Sequence, residues 1–299
     1  MNQKKGPIKY KIEVARHDAA HCLAPGLFQS LKRGDRKKLK LDITYQYNER
    51  ESLRAVGFEP LGADDMRILQ TIVGLVGRSN QLIPLAEPKT DEGKQLALLL
   101  EPKHEALKEN SRTARTNLNS FMREAGFKTD GGQAREDVVE SFRRLANVTL
   151  FVRRDKWEWS CHLLSYTVDQ NDGKLQFAVN PRITEAILGE RGHTHIDMRE
   201  VRADLSDPTR ILHQRLCAVV DPGKQRKISL DVLIGYIWND PVTGATLRQR
   251  RVTIRASFAE LQATGGWEFK ADGPFYLVCR ATVGYQIQSP RLGGHHELL

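Results

Sequence analysis

Arginine and glutamine crowd one stretch, residues 246–264, where TLRQRRVTIRASFAELQAT brings Arg248, Gln249, Arg250, Arg251, Thr253 and Arg255 within about two helical turns. Arginine and glutamine pair in two-toothed fashion with guanine and adenine edges in the DNA major groove, which is wide enough to admit a helix. At about 100° per residue, Leu247, Ile254, Phe258 and Leu261 form one apolar stripe. The opposite arc carries Arg248, Gln249, Val252, Thr253 and Arg255, while Arg250 and Arg251 flank the stripe, from where long side chains snorkel outward. An arginine-rich amphipathic helix can also be a plain solvated face. Its place after a helix-turn and before a hairpin favours DNA reading.

Two more basic groups accompany it: Lys32, Arg33, Arg36, Lys37, Lys38 and Lys40, then Arg153, Arg154 and Lys156. Over 299 residues, 46 Lys plus Arg stand against 37 Asp plus Glu, and 46 − 37 leaves +9. Such a surplus points to a polyanionic partner, because basic patches gain affinity by releasing phosphate counterions. The three groups can line one groove, although each alone can be simple solvated surface.

Catalytic chemistry finds less support. G-x-x-x-x-G-K-[ST] and G-x-S-x-G are both absent, which argues against ATP-driven work and a serine elbow. His193 and His195 have the spacing of the metal-holding pair in a nicking enzyme, where a tyrosine attacks a scissile phosphate. Threonine between them, a glycine-flanked connector position, and Tyr166 and Tyr236 reading as core or sheet residues all weigh against it. His17, His21 and Cys22 have one-turn spacing suited to a metal but lack an evident third ligand. The cysteines, Cys22, Cys161, Cys217 and Cys279, show no C-x-x-C pair and read as buried reduced thiols. The expectation is therefore a non-enzymatic protein with no cofactor and no metal.

Several elements must position these residues. LDITYQY at 41–47 alternates as a strand, and ADDMRILQTIVGLVG from Ala63 has an apolar helical stripe. Further helices are expected over EGKQLALLLE, over TARTNLNSFMREAG ending at Gly126, and over QAREDVVESFRRLA. VTLFVRRDKWEWSCHLLSYTVDQNDGKLQFAVNP then reads as hairpin strands turning at RRDK and around Asn171, Asp172 and Gly173. The second half repeats this order: a helix over DPTRILHQRLCAVVD with Asp207 as N-cap, one over ISLDVLIGYIW capped by Ser229, the arginine-rich helix, and a hairpin around Asp272 and Gly273. Phe142 to Leu145 and Phe258 to Leu261 both read F-x-x-L, a faint internal echo.

This order predicts an α+β fold of two tandem winged helix-turn-helix domains. Residues 1–13 are expected to be a disordered basic start, 14–181 the first domain, 182–285 the second, and 286–299 a flexible tail. The first domain's third helix mixes Arg135, Arg143 and Arg144 with Glu136, Asp137 and Glu140, so carboxylates would repel phosphates there. Its DNA contacts are expected from Arg135, from Arg153, Arg154 and Lys156 in the wing, and from Arg112 and Arg115 near the preceding helix. It is also a candidate for self-association as a homodimer. With no apolar run of membrane-spanning length and no secretory core near the start, a soluble bacterial cytoplasmic protein is expected, with no membrane partner.

VARHDAAHCLAPGLFQSLKRGDRKKLKLDITYQY, EPLGADDMRILQ, TRILHQRLCAVVDPGK and TLRQRRVTIRASFAEL closely resemble RepC, the replication initiators of IncQ-type broad-host-range plasmids. The resemblance runs from about Val14 to the second hairpin. LLSYTVDQNDGKLQFAVNPRITEAIL followed by DPTRILHQRL is also similar to the junction between the winged-helix domains of the wider iteron-binding superfamily, which puts the boundary near Pro181. The resemblance implies binding to direct repeats in double-stranded origin DNA, opening of an adjacent AT-rich segment, and loading of the plasmid's helicase and primase, without catalytic residues. It also implies that Arg248, Gln249, Arg250, Arg251 and Arg255 read the repeat. The tail beyond Val283 departs from the family, and residues 103–120 match it loosely. A repressor built from the same modules would instead bind an inverted operator, and a nicking enzyme would relax supercoiled DNA.

Overall fold

A computed structural model describes residues 9–32, 34–129, 131–169, 172–238 and 240–282, and the chain is mixed α and β. The first half begins with β1 (Val14–Asp18), α1 (Ala19–Leu23), β2 (Phe28–Gln29) and α2 (Asp35–Lys38). Next come β3 (Leu41–Asn48), β4 (Glu51–Gly57), β5 (Leu61–Gly62), α3 (Ala63–Arg78), β6 (Gln81–Pro84), α4 (Asp91–Leu100) and β7 (Lys103–His104). A 3-10 turn, Glu105–Lys108, leads to β8 (Asn110–Asn117), α5 (Leu118–Glu124) and α6 (Gly132–Ala146). Four strands, β9 (Thr149–Arg154), β10 (Trp157–His162), β11 (Leu164–Val168) and β12 (Lys174–Val179), precede α7 (Pro181–Leu188). The second half is β13 (His193–Asp197), α8 (Met198–Arg202), α9 (Asp207–Val219), β14 (Gln225–Ser229), α10 (Leu230–Ile237), α11 (Gly244–Ala263), β15 (Trp267–Asp272) and β16 (Phe275–Arg280).

One unit is used twice. In the second half α9, β14, α10, α11 and the β15–β16 hairpin follow one another, and the sheet order is β14-β16-β15. In the first half α3, β8, α5, α6 and the β11–β12 hairpin take the same places, with β8 beside β12 and β12 beside β11. Each unit is preceded by a strand and a short helix capped by an aspartate: Asp18 accepts from His21 N–H at the start of α1, and Asp197 accepts from Arg199 N–H at the start of α8. Those two strands pair antiparallel, with Arg16 opposite His195 at the centre. Gln70 and Gln214, each the eighth residue of its helix (α3 or α9), hydrogen-bond to one another at 2.8 Å. Equivalent residues meeting equivalent residues is the mark of a local twofold relation.

The core repeats as well. The buried stripe of α6 is Val138, Ser141, Phe142 and Leu145, and that of α11 is Ile254, Ser257, Phe258 and Leu261. The F-x-x-L echo is thus the visible part of a shared V/I-x-x-S-F-x-x-L. In both halves the hairpin strands clamp the phenylalanine: Phe142 against Tyr166 (5.4 Å) and Phe177 (5.2 Å), Phe258 against Phe269 (4.2 Å) and Tyr276 (4.8 Å). One continuous apolar cluster takes residues from both halves. At the junction Arg182, fully buried, reaches Asp18 (3.4 Å) and Glu51, while Arg191 reaches Asp18 (2.9 Å), Glu51 (2.7 Å) and Glu185 (2.8 Å).

Several expectations need correction. Residues 113–117 belong to strand β8, not to a helix, because Ala114 pairs with Phe177 and Thr113 with both Ala178 and Gln81; the helix starts only after Asn117, which caps it. The hairpin at RRDK forms, but β9 and β10 join β3, β4 and β7 in a separate five-stranded sheet, so the hairpin that takes the place of β15–β16 in the first half is β11–β12. His193 and His195 lie on a strand rather than in a connector. Ser206, not Asp207, is the N-cap of α9. The expected disorder of residues 1–13 fails for 9–13: Glu124 takes the N–H groups of Lys11 (2.9 Å) and Ile12 (3.1 Å). Ile12 is buried over Gly74, where any Cβ would come within 2.4 Å of it. Residues 1–8, Arg33, Asn171 and the expected tail 286–299 lie outside the described residues. Among the described residues no helix is long and apolar enough to cross a membrane.

Candidate nucleic-acid interface

Helix α11 is held from below by packing and from the side by polar ties. Ile254, Ser257, Phe258 and Leu261 face the core, Leu247 is half-buried, and Thr209 of α9 donates to Ser257 Oγ at 2.9 Å. This seating turns Arg248, Gln249, Val252 and Arg255 to solvent. Val252 is 55% exposed between the arginines, an apolar side chain of the kind that meets a thymine methyl. Thr253 is half-buried and spends its hydroxyl on the Gln249 carbonyl at 3.2 Å.

The other two arginines of the helix are engaged within the protein. Arg250 donates to both carboxylate oxygens of Asp240 (2.7 and 2.8 Å), and its guanidinium lies 5.0 Å over the Trp238 ring. Its hydrogen bond holds the Asp240 carboxyl below the usual range. Arg250 therefore fastens the loop that enters α11, and the outward snorkelling expected of it does not occur. Arg251 pairs with Asp231 at 3.2 Å yet keeps 40% of its side chain exposed.

The basic segment around α2 approaches this same loop. Lys32 acts through space on Asp240, and Arg36 bonds Asp65 (3.0 Å) and the Pro60 carbonyl (3.0 Å). Lys32, Lys37, Lys38 and Lys40 are exposed. The sequence suggests that the basic groups line one groove, and the fold brings Lys32 of this segment near the Asp240 loop of α11, about two hundred residues away.

The candidates of the first half are dispersed. Arg112 is buried on β8, donates to the Ser79 carbonyl, and has its pKa lowered by burial, so it braces the sheet rather than meeting a ligand. Arg115 pairs with Glu92. Arg135 is exposed on α6 and bonds Asn119 at 2.7 Å. Between α6 and its hairpin lies a groove of about 760 Å³ in which Glu136, Glu140, Asp169 and Asp172 outnumber Arg135 and Arg143. A phosphate would meet more carboxylates than guanidinium groups there. Arg153, Arg154 and Lys156 are exposed on the β9–β10 turn, with Arg154 reaching Glu51 at 3.4 Å.

The rings of His193 and His195 lie 4.8 Å apart, but burial first, then the charges of His193, Arg16 and Arg280, push His195 down to about 4. Burial raises the phenols of Tyr166 and Tyr236, the reverse of nucleophile activation. His17, His21 and Cys22 are buried without converging on one point. All four cysteines are free, and Cys279 is half-buried rather than buried.

Residues 9–274 match the replication protein C (RepC) family, and the chain belongs to it. It is thus a plasmid replication protein. No protein with a curated description matches the chain.

Proposed function

We propose that this chain initiates plasmid replication by binding direct repeats at an origin of the IncQ type, with α11 as the helix that reads the major groove. In this reading each repeated unit is a winged helix-turn-helix, α10 and α11 forming the second helix pair and β15–β16 its wing. The observation that carries it is the outward arc of Arg248, Gln249, Val252 and Arg255 on a helix fastened by Phe258, Ser257 and Arg250. Guanidinium and amide groups on a rigid helix are what base-edge recognition requires. Lys32, near the loop that enters α11, and the exposed Lys37, Lys38 and Lys40 of the same segment supply phosphate attraction, and the first unit, with its acidic groove, contributes positioning or self-association rather than sequence reading.

Several copies on tandem repeats bend the origin, so that deformation energy and superhelical stress fall on the adjacent AT-rich step. Opening then needs no catalysis by this chain, and the opened strands receive the plasmid's helicase and primase. The test is substitution on α11. Arg248→Ala and Arg255→Ala should each weaken binding to the cognate repeat by about 1–3 kcal/mol and binding to scrambled DNA by less. Arg250→Ala should weaken both alike and lower the melting temperature, because it releases the loop. Equal losses on both duplexes for Arg248→Ala and Arg255→Ala would reduce α11 to a phosphate contact.

A further inference from the structure

Three buried side chains of the second half converge on one point that DNA binding does not use. His213 and Cys217 stand one turn apart on α9 and so share a face. Glu200 comes from α8. His213 Nε2 is 2.6 Å from Glu200 Oε2 and 3.3 Å from Cys217 Sγ, and the three atoms all lie within 4.8 Å of one another. The residues are 2%, 2% and 5% exposed for His213, Cys217 and Glu200.

A single ring nitrogen faces two groups here. Nε2 can donate one proton to the carboxylate or accept one from the thiol, but it cannot do both. A cation at the shared centre would satisfy all three atoms at once. Imidazole nitrogen, thiolate and carboxylate are zinc donors, and bonds of about 2.0–2.3 Å hold such ligands roughly 3–4 Å apart, so the 3.3 Å His213–Cys217 spacing already fits and the 2.6 Å His213–Glu200 hydrogen bond opens on binding. The surroundings suit a ligand carboxylate. Trp267 Nε1 donates to Glu200 Oε2 at 3.1 Å, an outer contact that orients it. A Cβ at Gly266 would come within 1.6 Å of Glu200 Oε1, so only glycine leaves that oxygen its place. Glu200 also borders an open cleft of about 530 Å³, a route for the ion and for a water as fourth ligand. The nearby Arg280 guanidinium is engaged with the carbonyls of Cys217, Val220 and His195.

We propose that Glu200, His213 and Cys217 form a zinc site with one open position, which ties α8 and α9 to the β15 end of the hairpin behind α11. Binding expels to solvent the thiol proton and the Nε2 proton of a doubly protonated His213, leaving thiolate, neutral imidazole protonated at Nδ1, and carboxylate on the metal.

The test uses full-length, tag-free protein stripped with chelator and titrated with Co²⁺ as a spectroscopic probe, then with Zn²⁺ against a chromophoric chelator. One equivalent of Co²⁺ should give a thiolate-to-cobalt charge-transfer band, Zn²⁺ should displace it, and the zinc-loaded protein should melt at a higher temperature. Cys217→Ser should abolish the band and weaken zinc binding by at least about 100-fold. Cys279→Ser should change neither. Absence of the band in the wild-type protein, or its survival in Cys217→Ser, would overturn the site. The wild-type titration decides the matter even if Cys217→Ser fails to fold.

Discussion

His17 and His21 are fully buried at the junction, their rings 5.8 Å apart, and neither ring nitrogen of His17 has a protein partner among the described residues. Burial holds His17 down to about 4 and His21 to about 3, against 6.5 in an open chain. Both are therefore neutral in the folded protein, while the unfolded chain takes up protons below about pH 6.5. Stability should accordingly fall as pH drops from about 6.5 towards 4 and should not change on this account above 6.5. Asp18, lowered to about 2 as the guanidinium charges of Arg182 and Arg191 and the hydrogen bond from the His21 backbone N–H outweigh its burial, adds to the loss only below 3.8. Urea midpoints between pH 8 and 5 check this, and a midpoint that stays level below 6.5 would contradict it. Sequence alone could place these histidines one turn apart but could not show them sealed from water. The same limit applies to α11. Its outward arc follows from the period of one helix and is legible, whereas the Arg250 tether depends on Asp240 and Trp238 across a loop and is not.

At the scale of elements, amphipathic helices and tight hairpins announced themselves, because their signals are local. Strand β8 did not. Its Asn-Ser-Arg-Thr-Ala-Arg-Thr-Asn run is compatible with helix, and pairing with β12 and β6 decides the matter. The RRDK turn was equally legible, but its sheet partners are β4 and β7, segments distant in sequence from that turn. The repeated V/I-x-x-S-F-x-x-L shows what fixes α6 and α11 to their hairpins. Phe258→Ala should cost about 3–5 kcal/mol, since it empties the space between Phe269 and Tyr276. Denaturant titration measures this directly. A loss under 1 kcal/mol would mean that α11 is seated by something other than this clamp.

Over the whole molecule, the two units are coupled by the β1–β13 pair, the Gln70–Gln214 contact and the buried Arg182 and Arg191 network. Unfolding should therefore be one transition. Trp157 and Trp159 in the first half and Trp238 and Trp267 in the second provide reporters, and variants retaining either pair should give coincident midpoints. Separate midpoints would mean that the halves open independently. The +9 charge is a whole-chain property legible from composition, but what it serves depends on where it gathers.

The most direct test of the central claim is fluorescence anisotropy on a duplex carrying the plasmid's own direct repeat, beside a scrambled duplex, across a salt series. The account predicts a preference of about 10³-fold or more that persists at physiological salt. Equal affinities that fall steeply and together with salt would contradict it and leave only a basic protein that coats DNA.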